Sequence, residues 1–419
     1  MTPAEAARLI VADFQPLAAA RRPLREALDA VLAEDVMSPI DLPPWDNSAM
    51  DGYATRSADV AEDAELTVIE TIPAGRFPSK PVGPGQATRI FTGAPLPQGA
   101  DSVIRQEDTE PLAGGGGGEG GARVAIRNPR DAGKNIRRRG EDIRKGTVVL
   151  ETGTPLGPAQ LGVLASIAHD QPLVHRTPRV AFMGSGDEIV DLDRKPEILA
   201  GRKIASSNSY TLDAMIRRAG AEPVNLGIAS DTKESLREHL ERASGTDLLV
   251  TTAGVSVGEH DLVRDVLQEL GGELKMWRIG MRPGAPVGFG ILGGRPWIGL
   301  PGNPVSTMVT FELFVRPAIR RLLGHTLLFR RTVPVVVQEP ITLGPKLRHY
   351  LRAVVHAGAR TGEPLQARLT GPQGSGILTS MARATALLII PAEMPSVAPG
   401  TTLAALILDD PQHVAEPPY

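Results

Sequence analysis

The sequence predicts a multidomain α/β plus β protein, and three observations lead to that fold class. The chain has 419 residues, which is too long for one compact core. From about residue 175 to 327, short apolar runs alternate with amphipathic helical segments, which is typical of a doubly wound, largely parallel α/β domain. Before and after that segment, short apolar runs are separated by Pro and Gly, which predicts β modules on both sides of it.

Three helices are predicted before the α/β domain. Thr2 to Glu5 has the N-cap, the first-turn proline and the glutamate of a capping box, so a helix begins there. The stretch "PLREALDAVLAEDV" predicts a second helix from about Pro23 to Ala33. The stretch "GPAQLGVLASIA" predicts a third helix in the connector that leads into the α/β domain.

The elements of the α/β domain follow from the same patterns. Strands are predicted at "RVAFMGSGDE", "EPVNLGIASD", "DLLVTTAG", "PVGFGIL" and "PWIGLPGNP", and helices at "SYTLDAMIRRAG", "TKESLREHLERAS", "HDLVRDVLQELGG" and residues 305–323. Gly220 is the expected left-handed terminator of the first of these helices. After residue 328, the runs "RTVPVVVQEPITL", "HYLRAVVHAG", "PLQARLTG" and "ATALLIIP" predict short strands of an all-β module.

Composition excludes several classes of function. The chain contains no Cys, which excludes disulfides, thiolate metal sites and cysteine nucleophiles. The net charge of −3 gives no reason to expect nucleic acid or an anionic membrane as a partner. No signal peptide and no apolar run of spanning length is recognisable, so we expect a cytoplasmic protein.

The candidate site lies in the loops that follow the predicted strands, because ligands of open α/β sheets bind beyond the carboxyl ends of strands. Glycine backbones and helix N-termini in these loops suit a phosphate-bearing ligand, and the carboxylates beside them suit Mg²⁺. The loop residues are Gly184, Ser185, Gly186, Glu188, Asp231, Thr252, Gly254, Val255, Ser256, Asp261, Pro301, Gly302, Asn303 and Pro304. Two interpretations stay open, since "GSGDE" also fits a plain β–α turn and "GLPGNP" a Pro/Gly-set helix start.

Two basic clusters are further candidates. "IRRRGED" over 136–142 is either a solvated ion-pair network or an anion gate in which Asp142 is a metal or water partner. Arg278 and Arg282 are four residues apart; if their segment is a strand, both guanidinium groups lie on one face and suit oxyanion recognition.

Seven segments, taken together and in order, resemble the molybdopterin molybdenumtransferase family, which includes the E domain of gephyrin. They are "DNSAMDGYA", "IFTGAPLPQGAD", "NIRRRGEDI", "GSGDE", "GVSVGEHD", "GLPGNPVS" and "GPQGSGILTSMARA". The resemblance implies a helical and linker part over 1–42 and 141–174, an inserted β module over 43–140, a molybdopterin-binding α/β domain over 175–327 and a β-barrel-like domain over 328–419. It also implies a homodimer with the active site between the α/β domain of one subunit and the β module of the other.

The activity implied by the resemblance is insertion of molybdate into adenylylated molybdopterin, with Mg²⁺-dependent release of AMP. By position, Asp51, Thr92, Asp142, Glu188, Asp231 and Asp261 match acidic or hydroxyl residues that the family uses at its active site. We expect Glu188, Asp231 and Asp261 to hold Mg²⁺, and Asp51 and Asp142 to orient water or a second ion. The resemblance further implies substrate contacts at Asn208, Arg278, Arg282, Pro301, Pro304, Arg352 and Ser375.

Three positions depart from the family pattern: Ala253 replaces a glycine, Ala285 a lysine and Ser206 an aspartate. They leave open a shifted oxyanion preference, including tungstate, or a weaker enzyme. Two other functions compete with this one, a molybdopterin adenylyltransferase and a non-catalytic cofactor-binding or scaffold protein. Molybdopterin adenylyltransferase and molybdoenzyme apoproteins are candidate partners of the chain.

Overall fold

The computed structural model describes residues 1–112, 122–253, 262–344, 346–357 and 363–409. The chain divides into two compact units. The larger contains Met1–Arg21, Asp29–Ala33 and Leu173–Tyr419, and the smaller contains Arg22–Leu28 and Glu34–Pro172. In the described part of the chain, no helix is long and apolar enough to cross a membrane.

The helices are of three kinds. The α-helices, in chain order, are α1 Pro3–Ala12, α2 Pro158–Ser166, α3 Lys195–Leu199, α4 Ser207–Arg218, α5 Lys233–Glu241, α6 Leu262–Glu269, α7 Pro304–Thr310, α8 Arg316–Leu322 and α9 Leu378–Ala382. A π-helix spans Phe311–Val315. Short 3₁₀ helices span Leu24–Glu26, Ser57–Asp59, Gln106–Asp108, Pro129–Asp131 and Leu192–Arg194.

The strands of the smaller unit and its flanks are β1 Ala19–Arg21, β2 Val36–Met37, β3 Asn47–Ser48, β4 Gly52–Thr55, β5 Glu65–Ile72, β6 Gln86–Ile90, β7 Ser102–Arg105, β8 Thr109–Leu112, β9 Arg123–Ile126, β10 Ile136–Arg137, β11 Val148–Leu150 and β12 Leu173–His175. Those of the α/β segment are β13 Arg179–Ser185, β14 Ile189–Val190, β15 Ile204–Ala205, β16 Glu222–Ala229, β17 Leu248–Thr252, β18 Glu273–Met276, β19 Met281–Arg282, β20 Gly288–Leu292 and β21 Arg295–Leu300. The C-terminal strands are β22 Thr332–Val337, β23 Ile341–Thr342, β24 Arg348–His356, β25 Gln366–Leu369, β26 Ala386–Ile390, β27 Ser396–Val397 and β28 Thr402–Ile407.

The N-terminal helix forms as predicted, but the second predicted helix does not. In α1, Thr2 and Glu5 make both hydrogen bonds of the capping box. Between Pro23 and Ala33, only a 3₁₀ turn at Leu24–Glu26 is present, and Asp29 adopts a left-handed conformation with φ of 62°. The backbone of residues 31–33 then hydrogen-bonds to strand β12. The segment pairs with this strand instead of forming a helix, because its helical pattern has no capping residue at its start.

The smaller unit contains the predicted β module. Its main sheet has the strand order β7-β4-β6-β5-β9-β8, with β5 and β6 parallel and the other neighbours antiparallel. Its core is small and contains Tyr53, Leu66, Ile104 and Val124, which fits the low aromatic content. The helix predicted in the connector is also present, as α2.

The larger unit contains the predicted doubly wound domain. Its sheet has the order β16-β13-β17-β21-β20-β18. The first four strands pair in parallel, and the β21–β20 and β20–β18 pairings are antiparallel. Gly220 follows α4 with φ of 93°, as the helix-termination pattern predicts. The adjacent carboxyl ends of β13, β17 and β21 therefore lie at one edge of the sheet.

The predicted long helix over 305–323 is largely helical but not uniformly α-helical. A π-helical turn at Phe311–Val315 separates α7 from α8. Pro317 lies in the first turn of α8 and has no N–H to continue the α-helical ladder, which accounts for the break.

The C-terminal module is a closed barrel, because strand pairing runs β24-β25-β22-β28-β26 and returns from β26 to β24. The short strand β19 from the α/β segment adds to this sheet in parallel with β24. The all-β prediction for this module is therefore confirmed, and closure leaves few unpaired strand edges.

Candidate functional site

A cavity of about 440 Å³ lies at the carboxyl ends of the parallel strands β13, β17 and β21. We call it the strand-end cavity. Eight of its fifteen lining residues are glycine, proline, serine or threonine, and four are alanine or isoleucine. Its lining consists of Gly184, Glu188, Ile189, Ile204, Ala205, Ser206, Ser207, Asn208, Thr252, Ala253, Pro286, Pro301, Gly302, Asn303 and Pro304.

The structure brings together eight of the residues predicted from the sequence, although they come from four separate loops. Gly184, Glu188, Asn208, Thr252, Pro301, Gly302, Asn303 and Pro304 all line the strand-end cavity. The sequence reasoning missed Ser207, which lies beside Asn208 at the start of α4. Its loop follows β15, a strand of two residues that gives no recognisable periodicity.

Asn208 is the polar side chain that fixes the geometry of this wall. Its Nδ2 donates a hydrogen bond of 2.7 Å to the carbonyl oxygen of Gly302, which ties α4 to the loop after β21. Asn208 is 8% exposed, and its Oδ1 has no hydrogen-bond partner among the described residues. A buried oxygen without a partner costs free energy, so a ligand group that donates to it is favoured.

Ala253 occupies a backbone conformation that suits glycine. Its φ is 69°, in the left-handed region, at the end of β17. A non-glycine residue there costs about 1 kcal/mol. Ala253, where the family has glycine, is therefore a strained residue on the wall of the strand-end cavity. Its Cβ would lie 3.3 Å from a Cβ added to Gly302, so Gly302 leaves room for it.

Glu188 supplies the carboxylate on the cavity wall. Gly186 packs under it with φ of 137°, and a Cβ added there would lie 2.9 Å from Glu188 Oε2. Asp231 lies outside the lining. Its backbone N–H donates to Asp187 Oδ1 at 3.2 Å, and its own Oδ2 accepts from the Asp187 N–H at 3.4 Å. Asp231 thus stabilises the backbone one residue before Glu188.

The predicted magnesium ligands are only partly within the structure. Glu188 and Asp231 are described, whereas Asp261 lies outside the described residues, as do Gly254, Val255 and Ser256. Among the residues that the structure describes, no three His, Cys, Asp or Glu side chains come together as metal ligands. The described donors alone do not make a complete site, so the metal assignment stays a prediction.

In the smaller unit, the structure joins two other predicted residues. Asp51 Oδ1 accepts hydrogen bonds from the backbone N–H of Thr92 at 2.8 Å and from its hydroxyl at 2.7 Å. These bonds, the backbone one first, lower the pKa of the exposed Asp51 carboxyl. Asp51 is therefore held ionised and in one orientation.

The basic cluster of "IRRRGED" forms ion pairs, as one of its two interpretations predicted. Arg138 Nη1 lies 2.8 Å from Asp46 Oδ2, and Arg139 Nε lies 2.6 Å from Asp41 Oδ2. Asp142 is exposed, and its backbone N–H donates to the carbonyl of Leu42. These pairs engage two of the three arginines, and the role of Asp142 as a metal or water partner stays a prediction.

Arg278 and Arg282 are exposed but do not belong to one strand. Strand β18 ends at Met276, and Arg282 lies in β19, which pairs with the barrel. The alternation argument that placed both guanidinium groups on one face therefore does not apply.

Arg352 and Ser375 connect the barrel to the loop after β21. Arg352 is fully buried; it donates from Nη2 to the carbonyl of Gly374 at 2.9 Å and from Nε to the Ser380 hydroxyl at 3.0 Å. The neighbouring Ser375 carbonyl accepts from the N–H of residue 305 at 3.1 Å, directly beside Pro304 of the cavity wall. Both residues have a positioning contact, and their predicted contact with substrate stays a prediction. Arg352 Nη1 has no partner among the described residues.

Family comparisons cover nearly the whole chain. Residues 1–168 match the MoeA N-terminal region (domain I and II), residues 181–321 a probable molybdopterin binding domain, and residues 334–408 the MoeA C-terminal region (domain IV). The chain resembles a solved molybdopterin biosynthesis MoeA protein from Pyrococcus horikoshii OT3, with a TM-score of 0.81 at 28% identity, over 97% of this chain and 99% of that one. A second MoeA structure from Pyrococcus matches with a TM-score of 0.79 at 31% identity, over 98% and 99%.

Curated relatives agree with these matches. The molybdopterin molybdenumtransferase of a Nostoc species is 36% identical over 374 residues, which cover 86% of this chain and 82% of the relative. Molybdopterin molybdenumtransferase 1 of Mycobacterium tuberculosis is 37% identical over 403 residues, covering 89% and 92%. The family, fold class and transferase activity predicted from the sequence are confirmed, and the chain belongs to the molybdopterin molybdenumtransferase family of molybdenum cofactor biosynthesis.

Proposed function

We propose that this protein inserts molybdate into adenylylated molybdopterin and releases AMP in a Mg²⁺-dependent step. The observation that supports the proposal is the strand-end cavity, where glycine and hydroxyl groups from four loops surround a single described carboxylate, Glu188. Such a wall suits a ligand with phosphate groups, because backbone N–H groups approach an anion closely where side chains are small.

The residues have distinct proposed roles. Gly184, Thr252 and the loop 301–304 contact the phosphates and the pterin, and Asn208 holds that loop in place through Gly302. Glu188, Asp231 and Asp261 hold Mg²⁺, which neutralises charge on the phosphoanhydride. Arg278, Arg282 and Ser375 contribute to binding of the oxyanion, for which guanidinium and hydroxyl groups are suitable donors.

We further propose a cytoplasmic homodimer in which Asp51 and Asp142 of one subunit complete the site of the other. The hydrogen bonds from Thr92 to Asp51 support a functional role, because they hold the carboxylate ionised on an exposed surface.

The test is turnover of adenylylated molybdopterin with molybdate and Mg²⁺, followed by AMP release. We expect Glu188→Gln to lower the rate by about a hundredfold or more, because the variant loses the cavity carboxylate. Glu234→Gln is the matched control, since Glu234 is exposed in the first turn of α5 and lies outside the cavity lining.

Two outcomes would contradict the proposal. The first is normal turnover by Glu188→Gln at saturating Mg²⁺. The second is robust transfer of AMP from ATP onto molybdopterin by the wild-type protein, which would identify it as the adenylyltransferase instead.

A further inference from the structure

A second cavity, of about 310 Å³, lies in the larger unit between α8, the chain just before β22 and the end of β28. Four arginines line it: Arg316, Arg320, Arg330 and Arg331. The rest of its wall is apolar and comes from Leu327, Phe329, Ile407 and Leu408. We call it the arginine cavity. It shares no lining residue with the strand-end cavity.

One carboxylate is shared within this cluster. Glu312 Oε2 lies 2.6 Å from Arg330 Nε and 3.7 Å from Arg316 Nε. Arg320 instead donates from Nε to the carbonyl oxygen of Leu327 at 2.9 Å, a neutral acceptor. Among the described residues, a single carboxylate therefore serves Arg316 and Arg330 together, and the printed hydrogen bond of Arg320 goes to a neutral acceptor.

A second carboxylate close to the arginine cavity is engaged elsewhere. Asp409 follows Leu408 of the cavity wall in sequence, and its Oδ1 lies 3.0 Å from Arg218 Nη2. Because this ion pair brings its own cation, it adds no net negative charge to the neighbourhood of the cavity.

Burial and, after it, the positive charge of the cluster act on two titratable groups. Burial, followed by the positive charge of Arg330, lowers the pKa of Arg316 to about 10. Burial, together with Arg320 and Arg316, lowers the pKa of His325 to about 4, so that this imidazole is neutral at pH 7. Partly buried cations that repel each other are costly, and an anion between them removes that cost.

We propose that the arginine cavity binds a small multivalent oxyanion, one that carries two or more phosphate or carboxylate groups. Guanidinium groups present planar pairs of donors that match such groups in bidentate fashion, and several of them converge here on one volume. This binding is separate from the proposed function and needs none of the residues of the strand-end cavity.

Pyrophosphate and citrate are suitable probes, because one carries only phosphate groups and the other only carboxylates. Isothermal titration calorimetry of the full chain at low ionic strength measures the dissociation constant of each probe. We expect pyrophosphate to bind wild-type protein and to bind about tenfold or more weakly to Arg320→Gln and to Arg331→Gln, since each loses charged hydrogen bonds. Arg331 is exposed, so its replacement serves as the variant least able to disturb folding.

The matched controls separate this site from the strand-end cavity. Arg242→Gln removes an exposed arginine at the end of α5 and should leave affinity unchanged. Glu188→Gln should also bind pyrophosphate like the wild type, even where it loses turnover. Equal binding of citrate would assign the site to oxyanions in general, and weaker citrate binding would assign it to phosphates. Absence of binding of both probes to the wild type, or affinity that Arg320→Gln and Arg331→Gln leave unchanged, would overturn the proposal.

Discussion

The two cavities of the larger unit differ in what their walls are made of. Both cavities have four apolar side chains in their lining, but the remaining residues of the strand-end cavity are glycine, proline, hydroxyl and amide residues around one described carboxylate, whereas those of the arginine cavity are four arginines. In the first, the fold supplies most of the polar groups through the ends of strands and the starts of helices. In the second, long side chains supply them.

This difference predicts different sensitivity to mutation. The strand-end cavity depends on the few side chains that hold its loops in place, such as Asn208. A wall of guanidinium groups depends on the sum of several charges, so each arginine contributes a share. Substitutions should therefore act on geometry in the strand-end cavity and on electrostatics in the arginine cavity.

After Glu188→Gln, the largest effect is expected from Asn208→Ala. The variant leaves the Gly302 carbonyl without its 2.7 Å hydrogen bond and removes a buried Oδ1 that has no partner among the described residues. We expect kcat/KM for AMP release to fall by about 30- to 100-fold, which corresponds to about 2–3 kcal/mol. Ser209, a neighbour in α4 that hydrogen-bonds to the Ser206 hydroxyl at 2.7 Å, provides the control Ser209→Ala. Equal loss in both variants would mean that the start of α4 matters only for packing.

The next effect tests the burial of His325 and, after it, the charges of Arg320 and Arg316. Its folded pKa of about 4 is below the usual value of 6.5, so the unfolded state binds a proton first as the pH falls. The folded state therefore loses stability between about pH 6.5 and pH 4. From pH 7.5 to pH 5 we expect the wild type to lose about 2 kcal/mol more than His325→Asn, measured by denaturant unfolding of both proteins. Parallel pH dependence of the two would show that the cluster does not hold His325 neutral.

The two cavities also differ in how far they could be predicted from the sequence. The loops of the strand-end cavity follow strands whose periodicity is local, so the sequence alone assigns Gly184, Thr252 and Pro301 to one edge of the sheet. The arginine cavity was not predicted, because its residues are spread from 316 to 408 and each alone resembles an ordinary surface charge.

Within the fold, the correct prediction rests on local signals and the errors come from distant partners. The capping box at Thr2 predicted α1 correctly, because both of its hydrogen bonds are encoded within four residues. The helix predicted over Pro23 to Ala33 was wrong, because the partner of that segment, strand β12, is far along the chain. The addition of β19 to the barrel was missed for the same reason.

The smallest effect is expected from Gly186→Ala, which tests the backbone side of the comparison. A Cβ there lies 2.9 Å from Glu188 Oε2, and φ of 137° is unfavourable for alanine. We expect turnover to fall by about tenfold, because the added Cβ displaces the Glu188 carboxylate from its position. A tenfold loss corresponds to an increase of about 1.4 kcal/mol in the activation free energy. Gly293→Ala is the control, because its φ is also positive and a Cβ there meets nothing within 4 Å. A similar loss in both would indicate general backbone strain.

The most direct test of the proposed function is a crystal structure of the protein in complex with molybdopterin. We predict ligand density in the strand-end cavity, with the phosphate beside the loops of Gly184 and Thr252 and a donor group of the pterin within hydrogen-bond distance of Asn208 Oδ1. Molybdopterin seated in the arginine cavity, with the strand-end cavity filled only by water, would contradict it.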